Sequence, residues 1–292
     1  EGLNMGMLRI GFWPGGDRDG NPYVGAETTL RVARKLKLTL LRCYKKEFRE
    51  LRRLITFKGL EGELDMLQGM IEDAIFNTSD LSLKQDVLWH GLRRLEKKVE
   101  EDFNGLYVDQ IRQLIFKVRM FGLHFASLDI RQDARVVKRA FLELLEAQEG
   151  AEAVAAFHAM SEDEAIDWLF RRNVPFEGTL KEDRHQDVLE SLRAMQEIQR
   201  HNGEEGCHRY ILSNCSGALD IAVLHAMALS SGWEGALTVD LVPVFESIED
   251  LDGAKEEMAR LYAHPVYAAH RDARHSDQTV MLGFSDGTRN GG

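Results

Sequence analysis

The segment His208-Arg209-Tyr210-Ile211-Leu212-Ser213, with the residues that follow it, carries the reading of the fold. His208 to Ser213 is short, apolar and β-branched or aromatic enough for a strand. Residues 217–231 then run Gly-Ala-Leu-Asp-Ile-Ala-Val-Leu-His-Ala-Met-Ala-Leu-Ser-Ser, which reads as a helix. Leu237 to Phe245 is a second strand candidate, 249–262 a second helix, and Thr279 to Phe284 a third strand. Strand, helix, strand, helix, strand is the pattern of parallel β/α units. Two earlier runs, 8–13 and 121–130, also have strand character, giving five candidates in all. A closed (β/α)8 barrel needs eight. The expected fold class is therefore α/β and predominantly helical: part of a TIM-like (β/α)8 barrel with long helical insertions.

Those insertions are legible from periodicity. Between residues 27 and 57, Leu30, Ala33, Leu36, Leu40, Tyr44, Phe48, Leu51 and Leu54 recur at steps of three and four, the stripe of a long amphipathic helix. Helices are also expected near 60–77, 81–101, 105–120, 133–147, 161–171 and 185–202. The helical excursions thus cover about 27–120 and 133–206, within a single stretch 1–292 read as one barrel fragment.

The 292 residues carry 44% hydrophobic and 29% charged side chains, enough apolar content for a sizeable core. A net charge of −11 argues against nonspecific nucleic-acid binding. No apolar run reaches the roughly 18 residues of a membrane span. Three cysteines, Cys43, Cys207 and Cys215, lack C-x-x-C spacing and fit a reducing, cytoplasmic setting.

Chemistry concentrates in the loop after the first strand candidate, Gly15-Gly16-Asp17-Arg18-Asp19-Gly20-Asn21-Pro22. Glycine permits tight turns and close approach, and Asp, Asn and Pro stabilise turns. Its two carboxylates and the Arg18 guanidinium are candidates for substrate binding, with a plain surface turn as the other reading. A calcium loop fits poorly, because Pro22 and Thr28 occupy the places of its glycine and its closing glutamate.

Function in β/α barrels gathers at the C-terminal ends of strands. Asp129, Arg131, Glu246 and Asp286 fall at such ends. Glu246 and Asp286 are one β/α unit apart, so their strands should be neighbours. Two carboxylates there suit Mg2+ or Mn2+, which fill their other positions with water and substrate oxygens. Capping of the next helix, or pairing with a nearby arginine, is the alternative for each. Arg131 is either an ion-pair partner of Asp129 or Asp133, or a fork-shaped clamp for phosphate or carboxylate. Arg289 could serve the same anion. Trp13 and His124 read by default as core residues, and Asp220 as a helix cap or first-turn charge.

Three segments together go beyond generic barrel logic: Phe12 to Pro22, Phe121 to Gln132 with its Leu128-Asp129-Ile130-Arg131-Gln132 end, and Gly283-Phe284-Ser285-Asp286-Gly287. In that order they resemble the central region of bacterial-type phosphoenolpyruvate carboxylase, and the resemblance covers essentially the whole chain. Tyr210-Ile211-Leu212-Ser213 with Asp220, and Val242 to Glu246, match family segments between them. The resemblance implies a Mg2+-dependent (or Mn2+-dependent) lyase that adds bicarbonate to phosphoenolpyruvate, yielding oxaloacetate and phosphate. It makes Glu246 and Asp286 the metal ligands and Arg131 the holder of the phosphoryl group. Trp13, Val244 and Met281 then line the pocket for the substrate methylene, where the family usually has leucine in place of Val244. The parent enzyme would be a cytoplasmic, allosteric homotetramer feeding the tricarboxylic acid cycle.

Two departures qualify this. Arg289-Asn290 stands where the family has a lysine-aspartate pair, so Arg289 keeps the charge but not the ammonium geometry. The family's Thr-Ala-His-Pro segment with its catalytic histidine, its glycine- and arginine-rich mobile loop and its effector-binding segments have no match here. The expectation is a central fragment, inactive alone. A non-catalytic scaffold on the same barrel wall is the alternative, and another metal-dependent enzyme of phosphoenolpyruvate is a third reading.

Overall fold

The computed structural model describes residues 9–77, 81–233 and 235–283. In chain order, strand β1 (Gly11–Phe12) leads to helices α1 (Ala26–Leu54), α2 (Glu61–Phe76), α3 (Gln85–Asp102) and α4 (Val108–Phe121). Strands β2 (Ser127–Leu128) and β3 (Ile130–Asp133) follow, then α5 (Ala134–Glu149), α6 (Ala151–Ala159), α7 (Glu162–Arg171) and α8 (Asp183–Asn202). The chain closes with β4 (Arg209–Ser213), α9 (Ala218–Ser230), β5 (Asp240–Phe245), α10 (Ile248–Ala263), α11 (Pro265–Ala273) and β6 (Met281–Leu282).

The described residues form two compact units. One holds residues 9–12, 30–77, 81–127 and 197–207, the other 13–29, 128–196, 208–233 and 235–283.

The first unit is helical. Most of the stripe that the periodicity predicts for α1 is buried: Leu40, Tyr44, Phe48 and Leu51, with Leu41 beside them, join Leu64, Leu67 and Ile71 of α2, Leu88, Leu92, Leu95 and Val99 of α3, and Ile111, Leu114 and Val118 of α4 in one core, whereas Leu54 is exposed. Helices α2 and α3 approach closely at Gly91, where an added Cβ would stand 2.6 Å from a Leu67 methyl. Glu96, 6% exposed at the edge of this core, is held by Arg93 and Arg112.

The second unit is built on a parallel sheet in the order β3-β4-β5-β6. The register pairs Arg131 with Ile211, Ile211 with Val242, and Val244 with Met281. Side chains alternate across a sheet, so Ile211, Val242, Val244 and Met281 share one face and form one cluster. Helix α9 is buried nearly all round, as its largely apolar sequence requires. Helices α7 and α10 each begin with a complete capping box, from Ser161 and Glu164 and from Ser247 and Asp250.

The α/β class, the helical majority and the parallel β/α order agree with the sequence reading. Four local expectations are corrected. The strand expected over 121–130 is displaced: α4 runs to Phe121, Gly122 at φ 53° ends it, and Phe125 at φ 70° turns the chain, so pairing begins only at Ser127 and extends to Asp133. Arg131 therefore lies within β3, not beyond its end. His124 is buried as expected, but in that turn and not on a strand. The second strand starts at Asp240, where the backbone N–H bonds His208, not at Leu237. Helices α6 and α11 are additional to those expected. No helix among the described residues is long and apolar enough to cross a membrane.

Candidate functional site

The loop after Trp13 is zipped onto β3. The N–H of Arg131 donates to Gly16 O (3.0 Å), and the N–H of Arg18 donates to Arg131 O (2.9 Å). Gly16 and Asp17 N–H both turn back onto Trp13 O. This seating requires glycine at 16, because a Cβ there would sit 1.9 Å from Asp129 O. Gly16 thus brings the loop backbone against a strand, where the sequence reading offered a ligand-binding loop or a plain surface turn.

Its two arginines meet opposite environments. Arg18 is 5% exposed and each nitrogen of its guanidinium is engaged: Nε donates to Asp187 (2.7 Å), Nη1 to Gly16 O (3.0 Å) and Nη2 to Thr29 Oγ1 (2.8 Å). Thr29 in turn donates to Gly15 O. The side chain read as a substrate-binding candidate is thus committed to holding the loop in shape. Arg131 is half-buried on the same face as the Val244 cluster. Its guanidinium lies 3.3 Å from Asp17, 2.9 Å from Asp19 and 3.6 Å from Glu246, and 5.5 Å from the centre of the Trp13 ring. It is ion-paired, but to none of the partners the sequence suggested.

Trp13 is 38% exposed, so it is no core residue; its indole N–H donates to Asp129 at 3.1 Å. Asp129 also accepts from Arg209 at 2.7 Å. Burial pushes the Asp129 carboxyl above its usual range, against the pull of Arg209 and Trp13. Asp133 is buried less deeply, and Arg135 with its own backbone N–H holds that carboxyl below the usual range.

Glu246 follows β5 in phase with Val242 and Val244. It does not cap α10; Ser247 does. One of its oxygens accepts the Asn214 N–H (3.1 Å) and the other faces Arg131. Strand β6 passes tightly beside it: Gly283 N–H donates to Phe245 O, and a Cβ on Gly283 would meet Glu246 Cγ at 2.7 Å. Val244 is 4% exposed, with Met281 paired beside it. Asp220 sits in the first turn of α9 and accepts from Ser216, as a first-turn charge should. Asp286 and Arg289 lie outside the described residues.

The structure therefore brings Trp13, Arg131, Val244, Met281 and Glu246 to one end of one sheet face, and sets Arg18 behind the loop. Sequence reasoning gave no role to Asn214 and did not pair Asp17 and Asp19 with Arg131. The signal for Asn214 was its place directly after a strand; the two loop aspartates were visible, but their partner was not.

A hard divalent cation can be weighed against these donors. Among the described residues no three His, Cys, Asp or Glu side chains are grouped to hold a metal ion. Glu246, with Asp17 and Asp19 nearby and Arg131 and Arg135 as the neighbouring cations, fits in kind as one oxygen ligand of an ion that draws its others from water and substrate.

A family model described as phosphoenolpyruvate carboxylase matches this chain over residues 2–86 and 66–292. The chain belongs to the phosphoenolpyruvate carboxylase family. Among curated relatives, the phosphoenolpyruvate carboxylase of Nitrosomonas eutropha is 30% identical over 98% of this chain and 36% of its own length. That of Xanthomonas euvesicatoria is 28% identical over 98% and 35%, and that of Rhodopseudomonas palustris 27% over 100% and 36%. The chain thus spans about a third of the length of the phosphoenolpyruvate carboxylases it matches. The Nitrosomonas alignment runs over 336 positions, more than the 292 residues here, so that relative carries internal segments this chain lacks.

Proposed function

We propose that this chain is a central part of a phosphoenolpyruvate carboxylase and supplies the metal-binding half of its active site. The observation that carries the reading is the convergence of Trp13, Arg131, Val244, Met281 and Glu246 on one end of one sheet face, in a member of this family. The strand order and the shared inner face support the further proposal that β3 to β6 are consecutive staves of a (β/α)8 barrel.

In this reading Arg131 receives the phosphoryl group of phosphoenolpyruvate as a planar fork matched to phosphate oxygens. Asp17 and Asp19 hold the guanidinium until the substrate replaces one of them. Val244 and Met281, with the Trp13 ring, give the methylene carbon an apolar wall that limits protonation of the enolate by water. Arg18 acts through the loop rather than on the substrate. Glu246, with Asp286, would hold Mg2+ or Mn2+. Bound there, the ion would supply positive charge for the anions that bicarbonate and phosphoenolpyruvate bring together. By the family resemblance, Arg289 would serve the same anion. Homotetramer formation and cytoplasmic location are properties proposed for the whole protein.

The test is a Mn2+ titration followed by electron spin resonance, on this chain and on Glu246→Gln. One site per chain, weakened at least tenfold by the substitution, is expected. Binding that E246Q leaves unchanged would remove Glu246 from the site. Oxaloacetate formation by this chain alone is expected to be absent, and detectable turnover would overturn its reading as part of an enzyme.

A further inference from the structure

Asp129 stands apart from the residues so far given a role. It is a carboxylate 5% exposed, lying between β2 and β3, and it does not touch Arg131 through any hydrogen bond or ion pair on its side chain. One oxygen accepts the indole N–H of Trp13 (3.1 Å), the other the Nε–H of Arg209 (2.7 Å). Its own carbonyl lies against Gly16, so closely that no side chain could be added there. Asp129 therefore grips the Trp13–Gly16 turn at both ends, side chain on the indole and backbone on the glycine.

Trp13 has reason to need such a grip. A ring 38% exposed at a loop start is held only in part by packing, which leaves its two side-chain torsions to be fixed by other contacts. Its face nevertheless lies beside the Arg131 guanidinium, at a distance suited to a cation–π contact. A buried charged acceptor gives the indole a strong, directional bond, and Arg209 compensates the buried charge.

We infer that Asp129 is a positioning residue, whose buried carboxylate fixes the Trp13 indole and through that ring the setting of Arg131. This rests on the reading above, in which Trp13 and Arg131 face phosphoenolpyruvate. It is distinct from a merely structural ion pair, which would need Arg209 as much as Asp129 and would have no bearing on the indole.

The experiment is a proton–nitrogen correlation spectrum of the four tryptophan indole groups of this chain, with Trp13→Phe assigning the Trp13 signal. In the wild type that signal should lie downfield and its N–H should exchange slowly. D129A should move it upfield and speed its exchange at least tenfold, while R209M should leave it in place. If D129A leaves the Trp13 signal unmoved, or R209M moves it as far, the inference fails. Should D129A not fold, D129N and a pH titration of the wild type decide. The Trp13 signal should shift as Asp129 protonates, and a signal constant in both experiments overturns the link. Adding phosphoenolpyruvate with Mg2+ separates the two claims. A Trp13 signal that responds to D129A but not to these ligands overturns the substrate reading and, with it, the role in positioning. A response abolished by D129A supports both.

Discussion

The helical unit and the sheet unit solve the same burial problem with different materials. The helical core cluster, from Leu40 to Leu123, is built of hydrophobic residues, and the same unit also buries Lys37, Glu96, His124, Ser127 and Asn202. The sheet unit buries Arg18, Asp129, Gln132, Ser213, Asp220 and His225 among its apolar residues. Buried polar groups are costly unless each finds a partner. Arg18 has three oxygen neighbours arranged for it and Asp129 two donors, so the cost is offset by fixed geometry. The difference teaches where this chain spends stability on position: beside the Trp13–Pro22 loop and the ends of β3 and β5.

That contrast can be broken by substitutions on each side. Leu67 is fully buried in the helical core, and Leu67→Ala should cost about 3–5 kcal/mol, read as a fall in the denaturant midpoint. A loss below about 1 kcal/mol would mean that this core is looser than its burial shows. In the sheet unit, Arg18→Met should cost about 3 kcal/mol, because it strands Asp187 and Thr29 beside a buried site.

Acid should act on the sheet unit through its histidines. His225 packs against Phe170 and His270, and His270 against Tyr267. Burial lowers His225 to about 3, helped by His270 and His264, and His270 to about 4, with Arg274 adding to the effect. Both are neutral when folded, whereas the unfolded chain takes up their protons below about 6.5. Their stabilisation is therefore complete above pH 6.5 and is lost as pH falls toward 4. The slope is up to about 1.4 kcal/mol per pH unit for each histidine. Chemical denaturation at pH 7, 6 and 5 should show the decline, and His225→Phe should flatten it; an equal slope in that variant would locate the acid sensitivity elsewhere.

The smallest effect should come from the other arginine. Arg131→Met should change stability by about 1 kcal/mol or less, since its partners Asp17 and Asp19 remain partly solvated. If Arg131→Met proved as damaging as Arg18→Met, the distinction between a staple and a site arginine would fall.

Much of the helical unit could be read directly, because a 3.6-residue stripe such as Leu40, Tyr44, Phe48 and Leu51 encodes its own burial. The start of β3 could not. Phe121 to Ile130 has strand composition, but the positive φ at Gly122 and Phe125 depends on how that turn packs, which composition does not express. Of the candidate site, Arg131, Glu246, Trp13, Val244 and Met281 were nameable from motif and strand position. Which carboxylates face Arg131 was not, since Asp17 and Glu246 lie more than a hundred residues from it along the chain on opposite sides.

The sequence alone determined the class of fold, the order of its parallel units, the family and the residue types at the strand ends. These rest on local periodicity and on contiguous motifs, both of which a linear string preserves. Only the tertiary structure decided that Arg18 is a staple while Arg131 faces the site, and that Asp129 holds Trp13. Two arginines of identical chemistry differ here solely in what the fold packs around each guanidinium. Such surroundings are assembled from distant segments.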